Sequence, residues 1–309
     1  MKVLVTGADG FVGGWLLREL LGRGHTVSGV CRTGGQPSPV LRPDDRGRIE
    51  WRSMELGDTA SVVSAMAGRW DAVVHLAAVS SGAEARQDPG HAWEVNAAGT
   101  ARVVEALGSG TCFLLVSTGE VYGMGTGGAH GELDPVEPVS PYAASKAAAE
   151  LAALEAARRR HLKVIVARAF PHTGPGQDSR FVIPALAARV TAAKRAGRNT
   201  IPAGNLDPVR DLLDVRDVAA AYVALLERGA EGGIYNIASG TGLRLREVLD
   251  RLQRLAGWQV STELDSSLGR TSDIMHLVGD ASMLRSATGW APQYSLDRTL
   301  QDLLDAQTD

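Results

Sequence analysis

The chain of 309 residues is 44% hydrophobic and 22% charged, with a net charge of −3 at neutral pH, a composition that suits a globular protein with a core of its own. There is no basic excess to mark a nucleic-acid surface and no apolar run near the roughly 20 residues of a membrane span. Cys31 and Cys112 each fall in a predicted strand, outside any CxxC or Cys/His cluster, so they read as buried thiols and no metal site is expected.

Residues 2–6 form a short β-branched run, and 12–21 carry a helical apolar pattern. No signal peptide is read at the start, because glycine and aspartate break the apolar stretch at once. From the two isolated cysteines a reducing cytoplasm and no disulfide are expected. A second strand is predicted at 26–31, a weak third at 49–52, a short helix at 60–67 and a fourth strand at 71–75. Helix 93–107, strand 111–117, a long alanine-rich helix 143–160 and strand 162–168 continue the alternation. Near-continuous apolar strands imply burial on both faces, and alternating β and α units imply a parallel sheet covered by helices. The glycine-dense stretch 123–131 reads as a mobile loop near the site, and the basic run 158–160 as a solvated helix end. After residue 168 the rhythm changes. Residues 170–178 are rich in Gly and Pro and read as loop. Helices follow at 182–195, 214–228, 244–255 and 295–306, with a strand at 233–237. This part reads as a smaller, discontinuous lobe that caps the sheet.

Strand 2–6 runs into Gly7-x-x-Gly10-x-x-Gly13 and then into a helix. In that setting the first glycine permits a tight turn, the second lets backbone approach a pyrophosphate, and the third lets helix pack on strand. The helix N-terminus then offers free N–H groups and a positive dipole end to phosphate. At the end of the second strand an acid would accept from a ribose 2′-OH, but the chain has Arg32, which can pair with a 2′-phosphate. NADP(H) is thus expected ahead of NAD(H). Glu55 and Leu56 follow the third strand, either beside the adenine or, with Gly57 and Asp58, as a helix cap.

Tyr142 and Lys146 are four apart and share a helix face. A tyrosine has a pKa of about 10, and a neighbouring ammonium together with a positive nicotinamide ring favours its phenolate. It can then exchange a proton with a substrate oxygen while hydride moves at the cofactor. Ser117 and Thr118 end the fifth strand, where sheet folds place ligands.

These residues, with His75 to Ala78 after the fourth strand, Asn96 in a helix and Arg168 ending the sixth strand, resemble the extended short-chain dehydrogenase/reductase family of nucleotide-sugar epimerases, dehydratases and reductases. The resemblance implies an α/β Rossmann doubly wound parallel sheet over 1–168 plus roughly 207–235, with a nucleotide-sugar-binding lobe over 169–206 and 236–309. It also implies a homodimer through two long helices of each subunit. Thr118, Glu120, Tyr142 and Lys146 are implied as catalytic residues. Gly7, Gly10, Phe11, Val12, Gly13 and Arg32 would hold the cofactor, with Glu55, Leu56, Leu76, Ala77, Ala78, Tyr142, Lys146 and His172.

The stretches 167–177, 204–211, 214–217 and 269–273 look like the GDP-mannose branch of that family, above all its 4-keto-6-deoxymannose reductases, with the 4,6-dehydratases as neighbours. Ser80, Glu120, Arg180, Asn205, Arg210, Arg270 and Asp273 are implied as substrate contacts. Independently of the family, Arg180, Arg210 and Arg270 are candidate cations for a diphosphate. The family usually has asparagine where this chain has Pro171, which removes a side-chain amide and a backbone donor. Glu120 stands where dehydratases carry an acid, but Gly119 departs from their triplet. A reductase of a nucleotide-linked 4-keto-6-deoxy sugar is the leading expectation. A dehydratase or epimerase with retained cofactor is the alternative, and a dinucleotide-binding sensor without turnover is the reading of another class.

Overall fold

The computed structural model describes residues 1–125, 127–265, 268 and 274–307. Six strands, β1 (Lys2–Thr6), β2 (Thr26–Cys31), β3 (Glu50–Ser53), β4 (Ala72–His75), β5 (Cys112–Thr118) and β6 (Lys163–Ala169), join the strand Ile234–Ile237 in one parallel sheet. The order is β3-β2-β1-β4-β5-β6, then Ile234–Ile237. This is a Rossmann-type α/β fold. The apolar runs place side chains on both faces of the central strands: Val3, Leu4 and Val5 of β1 and Phe113, Leu114 and Leu115 of β5 are fully buried. The chain turns one way after β1 and the other way after β4, so a crevice opens at their carboxyl ends.

One face of the sheet is covered by the helices Phe11–Gly22 and Val215–Arg228, which bury Leu16, Leu17, Leu20, Val218, Tyr222 and Leu225. The other face is covered by helices that include Pro141–Arg160, where Ala149, Ala153 and Ala156 allow close approach. A third apolar cluster gathers helices Val182–Arg195, Leu245–Ala256 and Leu296–Asp305 around Leu186, Val190, Leu249, Leu252 and Leu300. Ile274, Leu277, Ala281, Leu284 and Trp290 pack instead on the sheet side.

Several expectations need correction. The helix predicted over 93–107 is three pieces, Pro89–Trp93, a π-helical turn Glu94–Ala98 and Gly99–Glu105. Short helices at Gly82–Gln87 and Ser282–Thr288 were not foreseen; each has too few turns to show an apolar period. The 170–178 loop contains the two-residue strand His172–Thr173, paired with Leu213–Asp214. The stretch 123–131 is pinned rather than loose at His130, which is buried, stacks on Tyr122 at 4.9 Å and donates its N–H to the Val278 carbonyl at 2.8 Å. The basic run 158–160 does more than meet solvent: Arg160 Nη1 donates to the carbonyls of Val104 and Glu105, each at 2.7 Å, closing the end of the neighbouring helix. Cys31 and Cys112 are partly buried free thiols on separate strands, and burial pushes Cys112 up to about 11. Among the described residues no helix is long and apolar enough to cross a membrane.

Candidate active site

The glycine loop follows β1 directly. Gly7 has φ +67°, and a Cβ there would lie 2.8 Å from Ala77 N. At Gly13 a Cβ would lie 2.2 Å from Gly7 O. Both positions therefore exclude a side chain, the first by backbone conformation and the second by close packing. Gly10 caps the helix without a side-chain bond, and the first turn carries no acid. A helix start without a side-chain cap, behind a loop that carries glycine at positions 7, 10 and 13, fits a pyrophosphate. Phe11 stacks on His172, with ring centroids 6.4 Å apart, and His172 Nδ1 is 2.9 Å from the Phe170 carbonyl. That acceptor requires Nδ1 to carry hydrogen. Burial lowers the His172 pKa, so its neutral form is favoured. The Pro171 carbonyl accepts from Leu213 N at 3.1 Å, which seats this loop on the 213–214 strand.

The loop after β4 is built around a buried polar chain. Ala77 N donates to Thr6 Oγ1 at 3.2 Å, and Thr6 Oγ1 lies 2.7 Å from His75 Nδ1. Burial pulls His75 down to about 3, aided by the charge of Lys146. Val79 N donates to Asn96 Oδ1 at 2.8 Å, while Asn96 Nδ2 donates to Val79 O at 3.1 Å and to Ser145 Oγ at 2.9 Å. Asn96 lies in the π-helical turn, a distortion frequent at functional sites. It clasps the loop after β4 to the helix bearing Tyr142 and Lys146. Leu76, Ala77 and Ala78 are partly buried along this loop, and Ser80 beyond it is exposed.

Helix Pro141–Arg160 begins with Ser140 as cap, accepting from Ala143 N at 3.1 Å, and Pro141 in the first turn. These signals fix where the helix starts and hence where Tyr142 points. Thr118 ends β5, nearly buried, and its hydroxyl accepts from Glu120 N at 3.2 Å. It also hydrogen-bonds the Tyr142 phenol, which lowers that pKa. Burial and the Glu120 carboxylate outweigh this and push the phenol above its ordinary value. In this chain alone, without the nicotinamide charge on which the expected phenolate also rests, the protonated phenol is favoured. Lys146, buried one turn on, is pulled by burial to about 8, and the Glu150 carboxylate opposes the fall.

Gly7, Phe11, Ala77, Thr118, Glu120, Tyr142, Lys146 and His172 are thus linked through contacts around one crevice. Arg32 is exposed just past the end of β2. Thr33 N donates to Glu55 Oε1 at 3.1 Å, and Asp58 caps the following helix at Ala60 N. Leu56 is buried in the core. The polar residues of the C-terminal motifs make contacts of their own. Arg180 lies over the Phe181 ring at 5.4 Å, Asn205 Oδ1 accepts from Asp207 N at 3.0 Å, and Arg210 Nη1 donates to the Ile274 carbonyl at 2.6 Å. Arg270 and Asp273 lie outside the described residues. Glu150 was missed. A lone acid two turns past Tyr142 on the same face was the available signal.

The family described as "NAD dependent epimerase/dehydratase family" matches residues 3–238. The chain is 33% identical to the GDP-6-deoxy-D-mannose reductase of Pseudomonas aeruginosa, covering 98% of this chain and 96% of the relative. It is also 33% identical to a dTDP-glucose 4,6-dehydratase of Streptomyces griseus, over 95% of this chain and 90% of that one. Among solved structures, RMD from Pseudomonas aeruginosa complexed with NADPH matches with a TM-score of 0.82 at 30% identity, over 99% of this chain and 98% of the other.

Proposed function

The chain belongs to the NAD dependent epimerase/dehydratase family, and we propose that within it this protein is a reductase of the C4 keto group of a nucleotide-linked 4-keto-6-deoxy sugar. The substrate class we favour is GDP-4-keto-6-deoxy-D-mannose, which would give GDP-6-deoxymannose. The observation that carries the reading is the Tyr142 phenol, hydrogen-bonded to Thr118 and held protonated by burial and Glu120. A protonated phenol beside a carbonyl-binding hydroxyl suits donation to a newly formed alkoxide. The reductase of Pseudomonas aeruginosa, similar over nearly the whole chain, supports the substrate class.

Gly7, Gly10, Phe11, Val12 and Gly13 would hold the cofactor pyrophosphate, with Leu76, Ala77, Ala78 and His172 along the crevice. NADPH, when bound, supplies the hydride. Arg32, exposed at the end of β2, supports NADPH over NADH, since a guanidinium pairs with a 2′-phosphate. Thr118 would bind the carbonyl oxygen, Tyr142 would deliver its proton to that oxygen, and the Lys146 ammonium would bind ribose hydroxyls. Arg180, Asn205 and Arg210 are the proposed sugar-nucleotide contacts of a C-terminal lobe, with Ser80 at the crevice edge. A homodimer is proposed through the helical region 89–105 and helix Pro141–Arg160, where Trp93 is 45% and Leu151 72% exposed. Light scattering of Leu151→Glu tests that assembly.

NADPH oxidation on addition of GDP-4-keto-6-deoxymannose is the expected result, and its absence in the folded wild type refutes the reading. The charge of Glu120 acting on Tyr142 favours a second reading, a 4,6-dehydratase that keeps its cofactor. Turnover of GDP-mannose without added NADPH, lost in Glu120→Gln, would replace the first reading by the second.

A further inference from the structure

Tyr142, Lys146 and Glu150 stand at i, i+4 and i+8 of helix Pro141–Arg160, one above the other on one face. Glu150 is only 4% exposed. A carboxylate taken that far from water is costly unless it is paired and hydrogen-bonded. Here Arg168 of β6 donates to it from Nε at 3.1 Å and from Nη2 at 2.7 Å, and the Ser117 hydroxyl of β5 donates as well. Ser117 stands opposite Arg168 in the sheet register, so adjacent strands deliver both donors to one point. Arg168 is held in turn. Its Nη1 donates to the Tyr122 hydroxyl at 2.9 Å, which donates to Asn236 Oδ1 at 2.7 Å. The carboxylate is therefore fixed in place one turn below Lys146, and its Ser117 partner is the neighbour of Thr118.

The titratable groups facing Lys146 are His75 from the end of β4, kept neutral by burial, and Tyr142 and Glu150 on its own helix, with Arg168 of β6 behind Glu150. We propose that Glu150 is a positioning residue for Lys146: clamped by Arg168 and Ser117, its carboxylate is the counter-charge that keeps the Lys146 ammonium charged in the working range of the enzyme. Burial alone works against that charge, and Glu150 is the group that opposes it. The proposal rests on the reading of Lys146 as the cation of the active site.

The test reads the protonation of Lys146 directly. Competitive acylation of the cofactor-free protein with acetic anhydride, followed at the Lys146 peptide by mass spectrometry across the neutral and alkaline range, gives its titration midpoint. In Glu150→Gln the midpoint is expected to fall by about 1 pH unit or more, the usual effect of a neighbouring opposite charge. The alkaline limb of kcat/KM should fall with it. That variant leaves Arg168 buried without its partner, so Glu150→Gln/Arg168→Gln, which removes both charges, serves as the second variant. Its midpoint should also fall, by less. A midpoint equal to wild type in either folded variant overturns the proposal, whatever happens to the rate. Wild-type protein that fails to oxidise NADPH would refute the reductase reading, while the labelling midpoint would still decide the role of Glu150.

Discussion

Two regions of the molecule use their polar residues in opposite ways. At the carboxyl ends of β1, β4 and β5, polar side chains converge on a crevice, and several keep one side open to it. Tyr142 is partly buried and bonded to Thr118, and Gly10 leaves the helix start without a side-chain cap. In the stretch 211–217 the acids are buried and tied into the fold. Asp211 is fully buried and accepts from Ser239 N and Oγ, Gly240 N and Gly279 N at 2.6–3.3 Å. Asp214 caps its helix at Arg216 N and pairs with the Arg216 guanidinium at 2.6 Å. Asp217 accepts from Gln293 N and Tyr294 N, which ties the C-terminal segment to the helix Val215–Arg228. A carboxylate whose oxygens are filled by backbone N–H groups is a joint in the fold. A group that reacts must keep an approach for substrate.

That contrast can be broken by experiment. The largest effect is expected from Tyr142→Phe, which should lower kcat by about 10²–10⁴-fold, the usual worth of a positioned acid. NADPH affinity and the urea midpoint should stay close to wild type. Equal turnover in the variant would remove Tyr142 from the crevice chemistry. Asp211→Ala should do the reverse. It strands several buried donors, so unfolding in urea should show a loss of about 3–5 kcal/mol, with unchanged turnover per folded molecule. Lost turnover at unaltered stability would move Asp211 from the joint to the site.

His75 offers a test by pH. Its folded pKa of about 3 lies below its ordinary 6.5, so as pH falls through that window the unfolded chain takes up a proton and the folded chain does not. Stability is therefore full near neutrality and lost on acidification, by on the order of a few kcal/mol in all. Chemical denaturation at a series of pH values should show this slope, and His75→Asn should flatten it. The smallest effect is expected at the rim. Arg32→Ala should weaken NADPH binding about tenfold, or about 1.4 kcal/mol, and leave NADH binding unaltered. An equal loss for both cofactors would show that Arg32 does not read the 2′-phosphate.

Much of the fold was legible because its signals are local. Apolar β-branched runs announced β1, β2, β4, β5 and β6, and the apolar period of residues 182–195 placed that helix at the bounds the structure shows. The weaker alternation at 49–52 still marked β3, one residue out of step. The π-helical turn at Glu94–Ala98 was not legible, since it differs from an α-helix by one inserted residue and leaves the composition unchanged.

By itself the sequence determined the alternating sheet, the glycine loop and the pairing of Tyr142 with Lys146 on one helix face. Each depends on residues within a few positions of one another, and sterics or helical spacing leave them little choice. Only the tertiary structure decided which partners each of many similar acids and arginines takes. Glu150 finds Arg168 and Ser117 across two strands, while Asp211 finds Ser239 and Gly279 from distant loops. The difference is physical: a charge is defined by its burial and its partners, and both come from parts of the chain far away in sequence.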